Sequence, residues 1–321
     1  MAICEYIPPV TTPGRGACWG EGRRLRGVRW LSIGILSCTA LVGAGCTRGG
    51  PPPPDQRYVA LGDSYTAGPL IPFQQTTRIP GGCLQSDHNY PHLVVAHLLV
   101  PLEDASCSGA TTDDMTGAQD VTLGTNGPQF DRLTAGTQVV TLGIGGNDIG
   151  FSDIAITCSQ GGLQDPNGTP CQDAFVVNGD DTVSDRIAAL SPKLTAVLDG
   201  IHTRSPAAKV FVVGYPAILP DTGDGCYPVM PITAGDVPYV RAKEQELNTT
   251  IQSVTTTHGD VFVDTYTPSI GHDACQLPGV KWVEPVVPTE AAAPVHPNAR
   301  GEQGMSDAVV AALRANGVAV L

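Results

Sequence analysis

Tyr58-Val-Ala-Leu-Gly-Asp-Ser-Tyr-Thr-Ala-Gly68 is an apolar run that feeds straight into a turn of small residues. Its β-rich start and the glycine at position 62 predict a strand over residues 57 to 62 with a tight turn behind it. The turn's candidate nucleophile is Ser64. A serine oxygen is weakly nucleophilic at its free pKa, so chemistry at Ser64 requires a base to take its proton and donors to hold an oxyanion. The rest of the chain offers three candidates. They are the backbone N–H of Gly109, the side chain of Asn147 in Gly145-Gly-Asn-Asp148, and the imidazole of His296 in Val295-His-Pro-Asn298.

Further strands are predicted at Leu102 to Cys107, Thr137 to Leu142, Lys209 to Gly214 and Asp260 to Asp264. Helical spacing covers Tyr90 to Val100, Asp185 to His202, Tyr239 to Thr257 and Arg300 to Ala315. Two stretches rich in Pro, Gly and polar residues, 69–89 and 215–237, read as loops. Phe151 to Asp180 shows no periodicity and reads as a long irregular excursion. Short apolar strands alternating with helices give parallel βαβ units, hence a three-layer α/β/α sandwich around a parallel sheet of about five strands. Ligands of such sheets bind at the carboxyl ends of the strands. Ser64, Gly109 and Asn147 fall just after the first, second and third strands, so three separate motifs converge on one edge. No phosphate-binding Gly-x-x-x-x-Gly-Lys is present, which argues against nucleotide chemistry, and no cofactor is called for.

Gly-Asp-Ser64 after a first strand, Gly109, Gly-x-Asn147-Asp and a late His296-Pro-Asn resemble, in order, the four blocks of the SGNH (GDSL-type) esterase/lipase family. The resemblance spans residues 57 to 315 and implies a flavodoxin-like fold and carboxylic ester hydrolysis, with lipid esters as substrates. It implies Ser64 as nucleophile, His296 as base, and the Ser64 N–H, the Gly109 N–H and the Asn147 amide as oxyanion donors. The family's last block is usually Asp-x-x-His, whereas here Ala293 stands three residues before His296. Similarity to secreted actinobacterial lipases implies that a main-chain carbonyl of the 291–294 loop orients the imidazole instead, with Ala293 as the named candidate. Two other readings share the fold: a carbohydrate acetylesterase and a catalytically silent cell-surface binding domain.

Residues 1–46 differ in character from the rest. Arg23, Arg24, Arg26 and Arg29 precede an apolar run from Trp30 to Ala44, about 15 residues long and short of the roughly 20 that span a bilayer. This pattern predicts an export signal. It ends at Leu41-Val-Gly-Ala-Gly-Cys46, which resembles a bacterial lipoprotein box, although Gly43 stands where Leu is usual. Membrane anchoring through a lipidated Cys46 and simple secretion both stay open. Residues 1–22 make a long lead for such a signal, and a start codon further downstream is a second reading. Pro51 to Pro54 mark residues 47–56 as an extended linker to a hydrolase domain over 57–321.

The first 46 residues carry five Arg against two Glu, so the remaining chain holds a net charge of −16 out of −13 overall. Such an acidic domain is a poor nucleic-acid binder, and a monomer acting on a small-molecule or lipid ester is expected. Six cysteines follow Cys46: Cys83, Cys107, Cys158, Cys171, Cys226 and Cys275. An even number in an exported chain predicts three disulfides, for which sequence alone allows 15 connectivities. The family resemblance implies sequential pairing. A thiolate zinc site is the rival, disfavoured because no Cys-x-x-Cys spacing occurs.

Overall fold

In the computed structural model, which describes residues 55–321, the stretch from Arg57 forms an inner strand of a five-stranded sheet. The predicted export signal, Cys46 and nearly all of the Pro-rich linker lie outside the described residues. The strands are β1 Arg57–Gly62, β2 Leu102–Asp104, β3 Thr137–Gly143, β4 Lys209–Val213 and β5 Val261–Val263. They pair in the order β2-β1-β3-β4-β5, all parallel. From β1 the chain moves outward to β2, then crosses back to β3 on the other side. The carboxyl ends of β1 and β3 therefore border the crevice where the strand order reverses, the natural ligand position of an open α/β sheet.

The helices are α1 Ser64–Ala67, α2 Tyr90–Val95, α3 Phe151–Gln164, α4 Pro170–Phe175, α5 Thr182–Arg204, α6 Val237–His258, α7 Tyr266–Ser269 and α8 Ala299–Ala315. Strand alternation sorts them into two layers, because successive side chains point to opposite faces. Tyr58 and Ala60 of β1 pack in one core with Tyr90 and Val94 of α2 and Met305, Val309 and Leu313 of α8. Val59 and Leu61 face the other core, filled by Ile187, Leu190, Leu194 and Ile201 of α5 with Leu247 and Ile251 of α6. Each fully buried aliphatic side chain of this kind stabilises the fold by about 1.5–3 kcal/mol relative to exposure. The three-layer sandwich expected from the sequence is the fold observed.

Three elements differ from expectation, α2 among them, which ends at Val95 rather than Val100 as His97 N and Leu98 N close tight turns onto Val94 O and Val95 O. β2 is shorter than the predicted 102–107 strand, because Asp104 accepts from the Ser106 N–H at 3.0 Å and its hydroxyl at 2.6 Å, turning the backbone. Bonds from Ala105 N to Ala60 O (2.8 Å) and from Cys107 N to Gly62 O (3.0 Å) still carry the pairing onward. The supposedly irregular excursion from 151 contains α3 and α4. Its buried positions Ile154, Cys158 and Gly162 recur at i, i+4, i+8, yet two of the three are not large apolar residues, so the period is invisible to a hydropathy reading. The disulfides pair sequentially: Cys83 with Cys107, Cys158 with Cys171 joining α3 to α4, and Cys226 with Cys275.

Candidate active site

Gly62 ends β1 where a side chain has no room: a Cβ there would lie 2.6 Å from the Gly143 carbonyl oxygen. The amide side chain of Gln129 clamps this residue from both sides, accepting from Gly62 N at 2.8 Å and donating to its carbonyl at 2.9 Å. Asp63, fully buried, then leaves the strand and caps α1 by accepting from Tyr65 N at 2.9 Å. Its second oxygen accepts from the Tyr215 hydroxyl at 2.6 Å, and that hydroxyl in turn accepts from Gly146 N at 2.8 Å. One chain of hydrogen bonds thus fixes the loops after β1, β3 and β4 around Ser64. Burial pushes the Asp63 carboxyl up to about 7, with the bonds from Tyr215 and Tyr65 pulling the other way.

His296 arrives from 232 residues further along, its Nε2 2.8 Å from Ser64 Oγ. Its Nδ1 lies 2.8 Å from the carbonyl oxygen of Pro294. A proton on Nδ1 donated to that carbonyl leaves Nε2 free to accept from the serine hydroxyl. The carbonyl comes from one residue later than the expected Ala293. Ala293 instead builds the turn, its N–H donating to Pro69 O at 2.9 Å and its carbonyl accepting from His296 N at 3.2 Å. Among the described residues no carboxylate contacts the ring. Burial holds the imidazole below its ordinary pKa, with the Pro294 carbonyl pulling upward.

The loop carrying His296 is tightly held. Val295 sits at φ 60°, a left-handed conformation costly for a β-branched residue. It is secured by the Tyr65 hydroxyl donating to its carbonyl at 2.6 Å and by its own N–H donating to Glu284 O at 3.1 Å. Glu284 N donates back to His296 O at 2.9 Å. The Tyr65 ring also packs beside the imidazole, with centroids 4.9 Å apart.

Among the described residues, neither the Ser64 N–H nor the Gly109 N–H donates to a protein acceptor. Gly109 is exposed at φ 83°, a conformation that favours glycine. Asn147 donates one amide hydrogen to Ala110 O at 2.8 Å, which ties it to the Gly109 segment and leaves its second hydrogen for a ligand. Next to it, Asp148 accepts from Thr112 N at 3.0 Å and from the Thr112 hydroxyl, locking the two loops together. Ser64 and Asn147 both line one pocket.

The pocket runs inward between α3 and α6, walled by Ile149, Phe151, Ile154, Ile218, Val240 and Leu247. Asp63, Lys243 and Glu244 are its acidic and basic members. Burial pushes the Glu244 carboxyl up to about 8, partly offset by the Ile218 N–H it accepts at 3.1 Å. Sequence reasoning assigned none of these residues, nor Tyr215, to the site. An aromatic directly after a predicted strand, in Gly214-Tyr215, was the signal available for the latter.

Residues 60–303 match the GDSL-like lipase/acylhydrolase family, and the chain belongs to that family. It is a carboxylic ester hydrolase. Lipase 2 of Streptomyces coelicolor is 41% identical over 258 residues, covering 79% of this chain and 84% of that protein. Among solved structures, the extracellular lipase of Streptomyces rimosus superposes with a TM-score of 0.65 at 27% identity, covering 81% of this chain and 99% of that one. Phospholipase A1 of Streptomyces albidoflavus NA297 gives 0.66 at 28% identity, covering 80% and 98%.

Proposed function

We propose that this protein is an exported serine esterase that cleaves lipid acyl esters through an acyl-enzyme on Ser64. The observation that carries the reading is the 2.8 Å approach of His296 Nε2 to Ser64 Oγ while Nδ1 is turned onto the Pro294 carbonyl. Ser64 Oγ attacks the ester carbonyl carbon as His296 takes its proton. The oxyanion is held by the Ser64 and Gly109 N–H groups and the free Asn147 amide hydrogen, each such donor typically contributing ~3 kcal/mol to the transition state. Collapse expels the alcohol, which takes the proton from His296. Water, deprotonated by His296, then attacks the acyl-enzyme, and the carboxylic acid leaves as Ser64 regains its proton.

A lipid acyl chain is favoured by the apolar walls between α3 and α6, and by the lipase and phospholipase relatives. Export is supported by the three disulfides, by the signal-like pattern of residues 1–46, and by an extracellular relative. Titration with an organophosphonate tests the mechanism. One label per chain on Ser64 is expected, and Ser64→Ala should fall below a few per cent of activity with unchanged thermal unfolding. Label on another residue, or substantial hydrolysis by the variant, would exclude Ser64 as nucleophile.

A further inference from the structure

We infer that His202, His258 and Asp260 form a structural site for a zinc-class divalent ion, at the end of the sheet opposite Ser64. His202 lies in the last turn of α5, His258 closes α6, and Asp260 immediately precedes β5. All three therefore sit at the amino ends of the strands, whereas Ser64 and Asn147 follow the carboxyl ends. Asp260 is nearly buried and presents one oxygen to each imidazole: Oδ1 to His202 Nε2 at 2.9 Å and Oδ2 to His258 Nδ1 at 2.9 Å. One ligand atom from each residue lies within 4.8 Å of the others. The two rings are stacked, 5.3 Å apart.

The other nitrogen of His258, Nε2, faces Asp199 Oδ1 at 3.0 Å. A ring that donates there from Nε2 and carries a metal on Nδ1 takes the arrangement of metal-bound histidines, with a carboxylate behind the ring and a second one, Asp260, at the ion. Among the described residues no lysine or arginine pairs with Asp199 or Asp260. A proton on His258 Nδ1 joins one imidazole to Asp260. A metal ion joins both imidazoles and Asp260 at one centre, with Asp199 in the role that carboxylates commonly play behind metal-bound histidines, fixing tautomer and ring orientation.

Zinc bonds to nitrogen and oxygen of about 2.0–2.2 Å place tetrahedral neighbours roughly 3.4 Å apart, so the present 2.9 Å pairs must open by about half an ångström. Rotation of His202, whose side chain is 34% exposed, allows this and gives the ion a path from solvent. Two imidazoles and one carboxylate suit Zn²⁺, whereas Mg²⁺ and Ca²⁺ prefer all-oxygen sets. Water completes the fourth position. The ligands come from three separate elements, which is why no short motif marks them, and a thiolate-based search misses them.

The full chain, stripped with EDTA and titrated with Zn²⁺ alone, tests the inference. One ion per chain is expected, with the melting temperature raised by roughly 5–10 °C at a hundredfold excess over Kd. Mg²⁺ and Ca²⁺ should not raise it, and Co²⁺ should give the visible absorption of a tetrahedral centre. His202→Gln, at a partly exposed position, should abolish both signals while ester turnover in EDTA stays unchanged. Asp199→Asn should weaken zinc binding by about 10–100-fold. No saturable Zn²⁺ binding, or the same stoichiometry in His202→Gln, would overturn the site.

Discussion

His296 has a carbonyl oxygen where a triad would place a carboxylate. The three acids that precede it in sequence are occupied elsewhere. Glu284 is fully buried and accepts from Asn298 Nδ2 at 2.8 Å and Thr289 N at 2.7 Å, with Lys281 Nζ at 3.1 Å. Glu290 pairs with Arg300 at 2.7 Å, and Asp273 caps Cys275 N at 3.0 Å. Glu290→Gln and Asp273→Asn should each lower kcat by less than about tenfold, under ~1.4 kcal/mol. A loss of ~10³ in either variant would make that residue a third catalytic member. Glu284→Gln should act on stability instead, because it strips a buried lysine of its partner at a cost of about 3–5 kcal/mol. The base also predicts a pH profile. Protonation silences it, and burial lowers its pKa, so the acid limb of kcat/KM should fall below the ordinary histidine value of about 6.5.

Between elements, what reads plainly in sequence is an apolar run or a period. β1, β3 and β4 are short, nearly unbroken apolar runs buried on both faces, and α5, α6 and α8 carry apolar residues at helical spacing, so their positions follow within a few residues. The block motifs locate Ser64, Asn147 and His296 because each sits in a short, chemically unusual turn. α3 escapes because Cys158 and Gly162 occupy its core positions. The pocket wall escapes with it, since a wall shared by α3 and α6 exists only once both are packed. That wall yields a prediction for acyl length. Ile154→Trp should obstruct the space between α3 and α6, lowering turnover of p-nitrophenyl palmitate at least tenfold while p-nitrophenyl acetate stays within about twofold. Equal losses on both esters would separate the acyl chain from this pocket.

Across the whole molecule, buried acids set the response to pH. Asp63 is pushed up to about 7 and Glu244 to about 8, and Glu302 and Asp104 are also raised, in every case chiefly by burial. A raised carboxyl stabilises the fold fully below its unfolded value near 4, and that contribution is lost as pH rises through the folded value. For Asp63 the span corresponds to at most about 4 kcal/mol. Asp87, Asp181 and Glu284, held below the ordinary range, act oppositely and lose their contribution only on stronger acidification. The melting temperature should therefore decline by roughly 5–10 °C between pH 5 and pH 9. Asp63→Asn should flatten that decline. A melting temperature that rises steadily over this range would contradict the assignment.

The 232 residues between Ser64 and His296 also set a timetable. Synthesis or translocation from the amino end delivers the serine on β1 early, while its partner waits for the loop ahead of α8. Until the segment around α8 packs against α2, Ser64 lacks the imidazole proposed as its base. On the proposed reading, a hydrolase built this way gains its base only when the loop ahead of α8 and that last helix complete the sandwich.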